Sequence, residues 1–457
     1  MHSVIPHYLR ELARVALRAC LAAALLGVDG YATADVPTPP DTCLVGTYHL
    51  KDGTDVDVGQ GSDAHLRWRR IDGTTGELTK GADGVWTSTL GWTARPDGKR
   101  VAFAGCGQEG ITFAGIPGKR VALRSTETKF QGDGVTLVGR LVMPPGEARV
   151  PLVVLVHGSE NSAALDSYPQ QRLFPSQGIG AFVYDKRGTG ASSGDYTQDY
   201  TLLAKDAVAA MREARRLAGS RAGRVGYQGT SQGGWVAPLA ASYAPVDFVI
   251  VGYGLAVSPL EEDRSAIALD MTRRGYGPEI VAKAMEVADA SAAILMSGFT
   301  QGYERLDAVR AKYGTEPWFK YVHGDISFVL LEMPHDEARV QLSKMIAGVR
   351  PDYDPMPVLR GLRTPQLWIL AADDVEAPSA ETTRRLKALA HDGAPIVTAV
   401  FPHTEHGIYE YEETPLPEAA RTDTRNPDGY LAMMCDYIRF GRLKTRYGSS
   451  EVFAAQR

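Results

Sequence analysis

The chain has 457 residues, 44% hydrophobic and 23% charged, which is long enough for two or more structural units and too apolar for a mainly disordered protein. Its 49 Lys and Arg against 54 Asp and Glu give a formal net charge of -5, so there is no electrostatic footprint for nucleic acid. The 48 glycines show no G-X-Y period, which excludes collagen, and 4 cysteines are too few for a disulfide scaffold of this length.

At the N-terminus, Arg10, Arg14 and Arg18 precede the apolar run ACLAAALLGV, and Tyr31-Ala32-Thr33-Ala34 supplies an A-x-A pattern before Asp35. Together they predict a secretory signal peptide over residues 1–34, with the mature protein in the periplasm or outside the cell. The alternative is an amphipathic first helix of the mature chain. The run is about half of a bilayer span, so no stable membrane span is expected. Arg18 interrupts the approach to Cys20, which argues against a lipoprotein anchor. Removal of 1–34 leaves Cys43, Cys106 and Cys435. An oxidising compartment can join the first two; the alternative is two buried thiols. Cys435 falls on a predicted C-terminal helix and is assigned to the core.

Residues 35–122 read as a β-rich domain. GTYHL, AHLRWRRI, GVWTSTLGW, KRVAFAG and GITFAG are short aromatic or β-branched runs, punctuated by DGT, DGTTG, GADG, RPDGK and GCGQEG. Turn signals at such close spacing predict a β-meander or small barrel. No catalytic constellation falls in it, so its role is read as structural or substrate-gating.

Residues 123–457 form the second unit, opening with a hairpin over 123–147 that turns at Gly132-Asp133-Gly134. PLVVLVHG, GIGAFVYDKRG, GRVGYQGTSQGG and VDFVIVGYG follow as unbroken apolar runs, with the helix-periodic YTLLAKDAVAAMREARRLAG before the third. PQLWILAADD and PIVTAVFPH repeat the pattern later, with SAETTRRLKALAHDG between them and PDGYLAMMCDYIRFGRL after them. Apolar strands alternating with helices imply a mostly parallel sheet covered on both faces. Residues 257–350 break the alternation with four helix-periodic segments and no buried strand, which predicts a helical cap inserted on the sheet domain. Within it, Trp318, Phe319, Tyr321 and Met333 are either pocket residues or cap core.

The chemistry-bearing motif is Gly229-Thr230-Ser231-Gln232-Gly233, a G-x-S-x-G between the apolar strand RVGYQ and the helix WVAPLAASYA. Small residues permit a sharp strand-to-helix turn that lifts the Ser hydroxyl above the sheet. The helix N-terminus offers N–H groups to a developing oxyanion. His157-Gly158-Ser159 follows the first apolar strand, and Tyr184-Asp185-Lys186-Arg187-Gly188-Thr189-Gly190 the second. With these motifs in this order, 123–457 resembles the α/β-hydrolase superfamily. The β domain ahead of it is similar to that of some secreted bacterial serine esterases.

The resemblance implies an α/β-hydrolase fold with nucleophile, acid and His in that order along the chain. It implies Asp374 as the acid, in Ala371-Ala372-Asp373-Asp374 where the family has a strand followed by G-x-x-D; Asp373 and Glu376 are rivals. It implies His406 as the base, in the His-Gly after the last strand, with His403 as its rival. Ser231 then attacks a carbonyl, His406 takes its proton and Asp374 orients the imidazole. Backbone N–H groups of Gln232 and Ser159, with Glu160 as the adjacent candidate, meet the oxyanion. The Glu160 side chain is expected to point away, or to meet a positive group on the substrate. The long gap between Ser231 and Asp374 fits an inserted cap.

The function these residues imply is a secreted serine hydrolase that cleaves a small-molecule carboxylic ester through an acyl-enzyme. The alternative is a peptidase or aminopeptidase of the prolyl-oligopeptidase-like branch, in which Glu160, Glu261, Glu262 or Asp263 would hold the substrate amine. The β segment is too short for the propeller many of those peptidases carry. A third reading is a non-catalytic binding protein on the same scaffold. No Cys stands at the elbow, and H-E-x-x-H, C-x-x-C and G-x-x-x-x-G-K-[ST] are absent, so no cofactor or metal is predicted. The sequence carries no signature of oligomeric state.

Overall fold

The computed structural model describes residues 41–61, 65–413 and 421–454, and the predicted signal segment 1–34 lies outside them. The first unit consists of strands Gly46–Leu50, Asp55–Gln60, Leu66–Arg69, Thr75–Lys80, Trp86–Thr89, Pro96–Phe103, Gly110–Phe113 and Ile116–Arg120 (β1–β8). They form a closed antiparallel barrel, because β8 returns to pair with β1. Closure removes the free edges that a meander would leave. The sequence runs pick out five of these strands. DVDVGQ (β2), TGELTK (β4) and IPGKR (β8) lie outside those runs, yet Val56, Val58 and Leu78 on them are fully buried beside Trp68, Trp86 and Phe113. Cys43 and Cys106 are disulfide-bonded, and Cys435 is a buried free thiol.

The second unit has strands Arg124–Gln131, Thr136–Met143, Val150–Val156, Gly180–Asp185, Ala222–Thr230, Phe248–Gly252, Gln366–Ala371, Ile396–Phe401, Thr404–Glu405, Tyr409–Glu413, Arg421–Arg425 and Glu451–Ala454 (β9–β20). Nine of them make one sheet in the order β20-β16-β15-β14-β13-β11-β12-β10-β9. From β12 to β16 the pairing is parallel; β9, β10 and β20 are antiparallel additions at the two edges. Along β11, Leu152, Val154 and Val156 join the core under helices Tyr200–Ala218 and Gly233–Tyr243. Val153 and Leu155 join the opposite core, under Gln170–Ser176 and Tyr430–Phe440. A strand buried on both faces must be apolar at every position, which is why these strands are unbroken hydrophobic runs.

Between β14 and β15 lie six α-helices: Pro259–Arg273, Pro278–Met296, Tyr303–Tyr313, Asp325–Glu332 and His335–Met345 share a hydrophobic core of their own, and Met356–Gly361 packs into the core of the sheet domain. Ser258 and Glu261 form a reciprocal capping box that starts the first, with Pro259 at its first position. Asp325–Glu332 (DISFVLLE) is absent from the four predicted cap segments, being one short, largely apolar stretch without helical period. Trp318 is buried in the cap core, and Phe319, Tyr321 and Met333 pack against it. These four are cap core rather than pocket residues.

Among the described residues, the barrel meets the sheet domain at helix Gln170–Ser176 and at the small sheet. Arg172 donates to both carboxylate oxygens of the fully buried Asp57, at 2.6 and 3.0 Å. The small sheet β17-β18-β19 rests on the barrel, with the Trp92 and Tyr409 rings 4.5 Å apart and the Asn426 N–H donating to the Gly73 carbonyl at 3.2 Å. The Thr424 and Asn426 carbonyls occupy the space where a Cβ on Gly91 or Gly73 would stand, so both positions must be glycine.

Candidate active site

Strand β13 runs into Ser231, which sits at φ 50, and the helix Gly233–Tyr243 begins two residues later. The strained turn is held by the Ser231 N–H donating to the Gly252 carbonyl at 3.0 Å and the Gly234 N–H donating to the Ser231 carbonyl at 2.7 Å. The motif glycines are steric requirements. A Cβ on Gly229 would meet the Gly233 carbonyl oxygen at 2.3 Å, and one on Gly233 would meet the Val156 carbonyl oxygen at 2.7 Å. Six non-glycine residues among those described have positive φ, and four of them, Ser231, Tyr253, His403 and Ile408, lie on the loops at this end of the sheet. Such strain, about 1–3 kcal/mol each, gathers where geometry serves function.

The structure brings Ser231, His406 and Asp374 together. His406 Nε2 lies 3.2 Å from Ser231 Oγ, and Nδ1 lies 2.9 Å from Asp374 Oδ2. Asp374 is 1% exposed, and its Oδ1 accepts the N–H groups of Glu376 and Ala377 at 3.1 and 2.8 Å, which leaves Oδ2 for the imidazole. The Tyr253 ring packs edge-on against His406 at 4.8 Å. The rivals stand elsewhere. The Asp373 carboxylate accepts from the Tyr411 hydroxyl at 2.9 Å, and the His403 side chain is 90% exposed. Glu376 Oε1 approaches His406 Nε2 at 3.5 Å without touching Nδ1 in place of Asp374. Burial alone would strip the His406 proton, but Glu376 and Asp374, with Asp325 behind them, overcome this and raise its pKa to about 10.

Ser159 and Gln232 line the same cavity as Ser231, and the N–H of neither has a partner among the described residues. The loop carrying Ser159 is braced from behind. Buried Lys186 donates to the Gly158 carbonyl at 2.9 Å, so the trans peptide turns the Ser159 N–H the opposite way. Tyr196 donates to the Ser159 carbonyl at 2.5 Å, and Glu160 accepts from the Tyr168 hydroxyl at 2.5 Å. Glu160 is folded back over Gly158 and does not line the cavity. Burial lowers the Lys186 pKa to about 8 against the opposing pull of Glu160. His157 bonds the Tyr184 carbonyl, and its burial lowers it to about 4, which keeps it neutral. In the following motif, Asp185 accepts the Ala164 and Leu165 N–H groups, and Arg187 grips the buried Asp206 at 2.7 and 2.8 Å. These residues hold loops and touch no reacting atom.

The cap closes over the elbow with Leu295, Ile326, Val329, Leu342 and Met345, and contributes Glu262 and Asp325 to the cavity; Glu376 enters from below. Of the carboxylates considered for a substrate amine, Glu262 alone lines the cavity. Glu261 is occupied by its cap and by Arg385. Asp263 accepts the Ile326 and Ser327 N–H groups and the Ser327 hydroxyl. Asp263 thereby fixes the start of the helix that carries Asp325. The sequence reading missed Asp325, and weighed Glu376 only as a rival acid. No group of three or more His, Cys, Asp and Glu among the described residues is placed to hold a metal ion. No helix among them is long and apolar enough to cross a membrane.

Residues 133–258 match the family described as X-Pro dipeptidyl-peptidase (S15 family). No curated protein matches the chain significantly. Among solved structures, an acylaminoacyl peptidase of Pyrococcus horikoshii is similar at 16% identity and a TM-score of 0.39, over 78% of this chain and 53% of its own, so this chain spans about half its length. An esterase of Pyrococcus furiosus is similar at 13% identity and a TM-score of 0.39, over 62% of this chain and 84% of its own. Parallel strands in the order β12-β11-β13-β14-β15-β16, a serine on a strained elbow after β13 and the family match around it give the chain an α/β-hydrolase fold.

Proposed function

We propose that the protein is an exported hydrolase of carboxylic esters, with Ser231 as nucleophile, His406 as base and Asp374 as its orienting acid. The observation that carries the reading is the hydrogen-bonded line from Ser231 through His406 to Asp374, at 3.2 and 2.9 Å, beside two unpartnered N–H groups. As Ser231 Oγ bonds to the ester carbonyl carbon, its proton moves to His406 Nε2. The tetrahedral oxyanion accepts from the Gln232 and Ser159 N–H groups. Collapse breaks the bond to the alcohol, which leaves with the His406 proton, and water repeats the sequence to release the acid. Export is supported by the signal-like residues 1–34 and by the disulfide between Cys43 and Cys106.

The test is direct. Purified protein should turn over p-nitrophenyl acetate faster than alanine p-nitroanilide, and a fluorophosphonate should label the peptide containing Ser231. Label found on another residue would sink the assignment. A second reading, a peptidase, is supported by the X-Pro dipeptidyl-peptidase match; faster cleavage of the anilide, or of a dipeptidyl X-Pro anilide, would favour it.

The base must be neutral to accept the Ser231 proton, and its neighbours hold its own proton up to about pH 10. Turnover of a neutral ester should therefore climb with pH across the neutral and alkaline range. Glu376→Gln removes one of the charges that raises His406, so the acid limb of kcat/KM should move to lower pH. An unmoved limb would mean that Glu376 does not control this proton.

A further inference from the structure

Gln198, 5% exposed, lines the cavity beside Ser231 where the elbow, the Ser159 loop and the end of the cap meet. Its side-chain N–H₂ donates to the Met345 carbonyl at 3.1 Å and to the Tyr196 hydroxyl at 2.9 Å. A carbonyl only accepts, so Met345 fixes which end of the amide is which. Gln198 Oε1 is thereby left for Gln232, whose Nε2 donates to it at 2.9 Å. The Tyr196 hydroxyl, having accepted from Gln198, donates to the Ser159 carbonyl at 2.5 Å. The bonds run head to tail from Gln232 to Ser159, and each polarises the next. The two ends of this chain are the two residues assigned to the oxyanion hole. Lys186 holds the carbonyl before the Ser159 Cα and Tyr196 the carbonyl after it, so the residue between them has little freedom to turn. The chain also reaches the cap. The Gln198 N–H and the Thr197 hydroxyl donate to the Ala347 carbonyl at 2.6 and 3.0 Å, two residues past the helix His335–Met345. That helix covers the cavity with Leu342 and Met345. A Cβ on Gly348 would collide with the Thr197 hydroxyl, so the two segments meet without spare room.

We propose that Gln198 is a positioning residue that couples the seating of the cap to the alignment of the two oxyanion donors. This rests on the serine-hydrolase reading and adds a control over its oxyanion hole. Gln198 bonds to none of Ser231, His406 and Asp374, and acts only through Gln232, Tyr196 and the cap. Donors aimed at the place where charge develops stabilise the transition state and do little for the bound substrate. Loss of their alignment therefore lowers kcat and leaves KM nearly unchanged. The amide carries no charge, so the proton on His406 is not disturbed. A change at the cap's end reaches the donors by the same bonds, since Gln198 holds Met345 and Ala347 on one side and the oxyanion residues on the other.

The experiment measures p-nitrophenyl acetate hydrolysis in the full chain. Gln198→Leu and Tyr196→Phe should each lower kcat by about tenfold to a hundredfold, less than the loss of a whole oxyanion donor. KM should stay within about twofold of the wild type, and the acid limb of the pH profile should not move. Phenylboronic acid, whose adduct with Ser231 places an oxygen in the oxyanion hole, should weaken by the same factor as kcat. The double variant should be no slower than the slower single one, because both changes break one chain. Gly348→Ala pushes on the cap's end without altering any side chain of the network; it should lower kcat by about tenfold in the wild type and have no further effect beside Gln198→Leu. Unchanged kcat in both single variants, or losses that multiply in the double variant, would overturn the proposal. Equal slowing of both backgrounds by Gly348→Ala would remove the cap from it. Should Gln198→Leu fail to fold, Tyr196→Phe, which removes one oxygen, decides alone: unchanged kcat and boronate affinity would overturn the proposal. A wild type that neither turns over the ester nor takes the fluorophosphonate label would instead overturn the hydrolase reading.

Discussion

Ser231→Ala should lower kcat for ester hydrolysis by about five to six orders of magnitude, with the folded structure unchanged. The substitution removes one oxygen from a side chain that packs against little. The backbone strain at φ 50 stays, because the Gly252 and Gly234 hydrogen bonds that hold it belong to the main chain. The residual rate would be that of a cavity with an oxyanion hole and no nucleophile. The measurement is steady-state hydrolysis of p-nitrophenyl acetate, with near-ultraviolet circular dichroism as the control for folding. A loss of tenfold or less would mean that another group attacks the carbonyl.

Asp374→Asn should lower kcat by about four orders of magnitude, and Asp373→Asn by no more than a few-fold. In the wild type, Asp374 Oδ1 is committed to the Glu376 and Ala377 N–H groups, so Oδ2 faces His406 Nδ1. Asparagine can keep the first two bonds only by turning its amide N–H₂ toward Nδ1. The imidazole must then accept there and carry its proton on Nε2, where Ser231 needs an acceptor. Asp373 is bound to Tyr411 and lies off this line. Equal losses in the two variants would remove Asp374 from its assigned role.

The two acids show how far the sequence was legible. The elbow could be read because strand, Ser and helix are consecutive, and the glycines beside Ser231 are forced by backbone contacts within that same turn and its neighbouring strand. His406 could be read from its position after the last long apolar strand. Asp374 and Asp373 are adjacent on one loop, and no local pattern separates the one whose Oδ1 is pinned by two N–H groups from the one that meets a tyrosine of β18. The acid trio was illegible as a unit, since Glu262, Asp325 and Glu376 meet through the docking of two cap helices onto a loop of the sheet domain. The same limit applied to the barrel. Closure depends on β1 pairing with β8, and three of its strands carry the Gly and Asp content of turns.

The small sheet β17-β18-β19 has a consequence for how such a chain can be divided or inherited. The Asn426 side chain donates to the Gly407 and Ile408 carbonyls, beside His406, while its main chain is tied to Gly73 of the barrel. Ser231 stands on the large sheet, whereas the loop of Asp374 is itself tied to the small sheet through Tyr411 and Arg421. A fragment starting at residue 123 would keep its nucleophile in place, and its histidine would lose its footing. The two units are therefore not interchangeable parts: a barrel borrowed from another protein would have to bring glycines where Gly73 and Gly91 now receive the histidine's support.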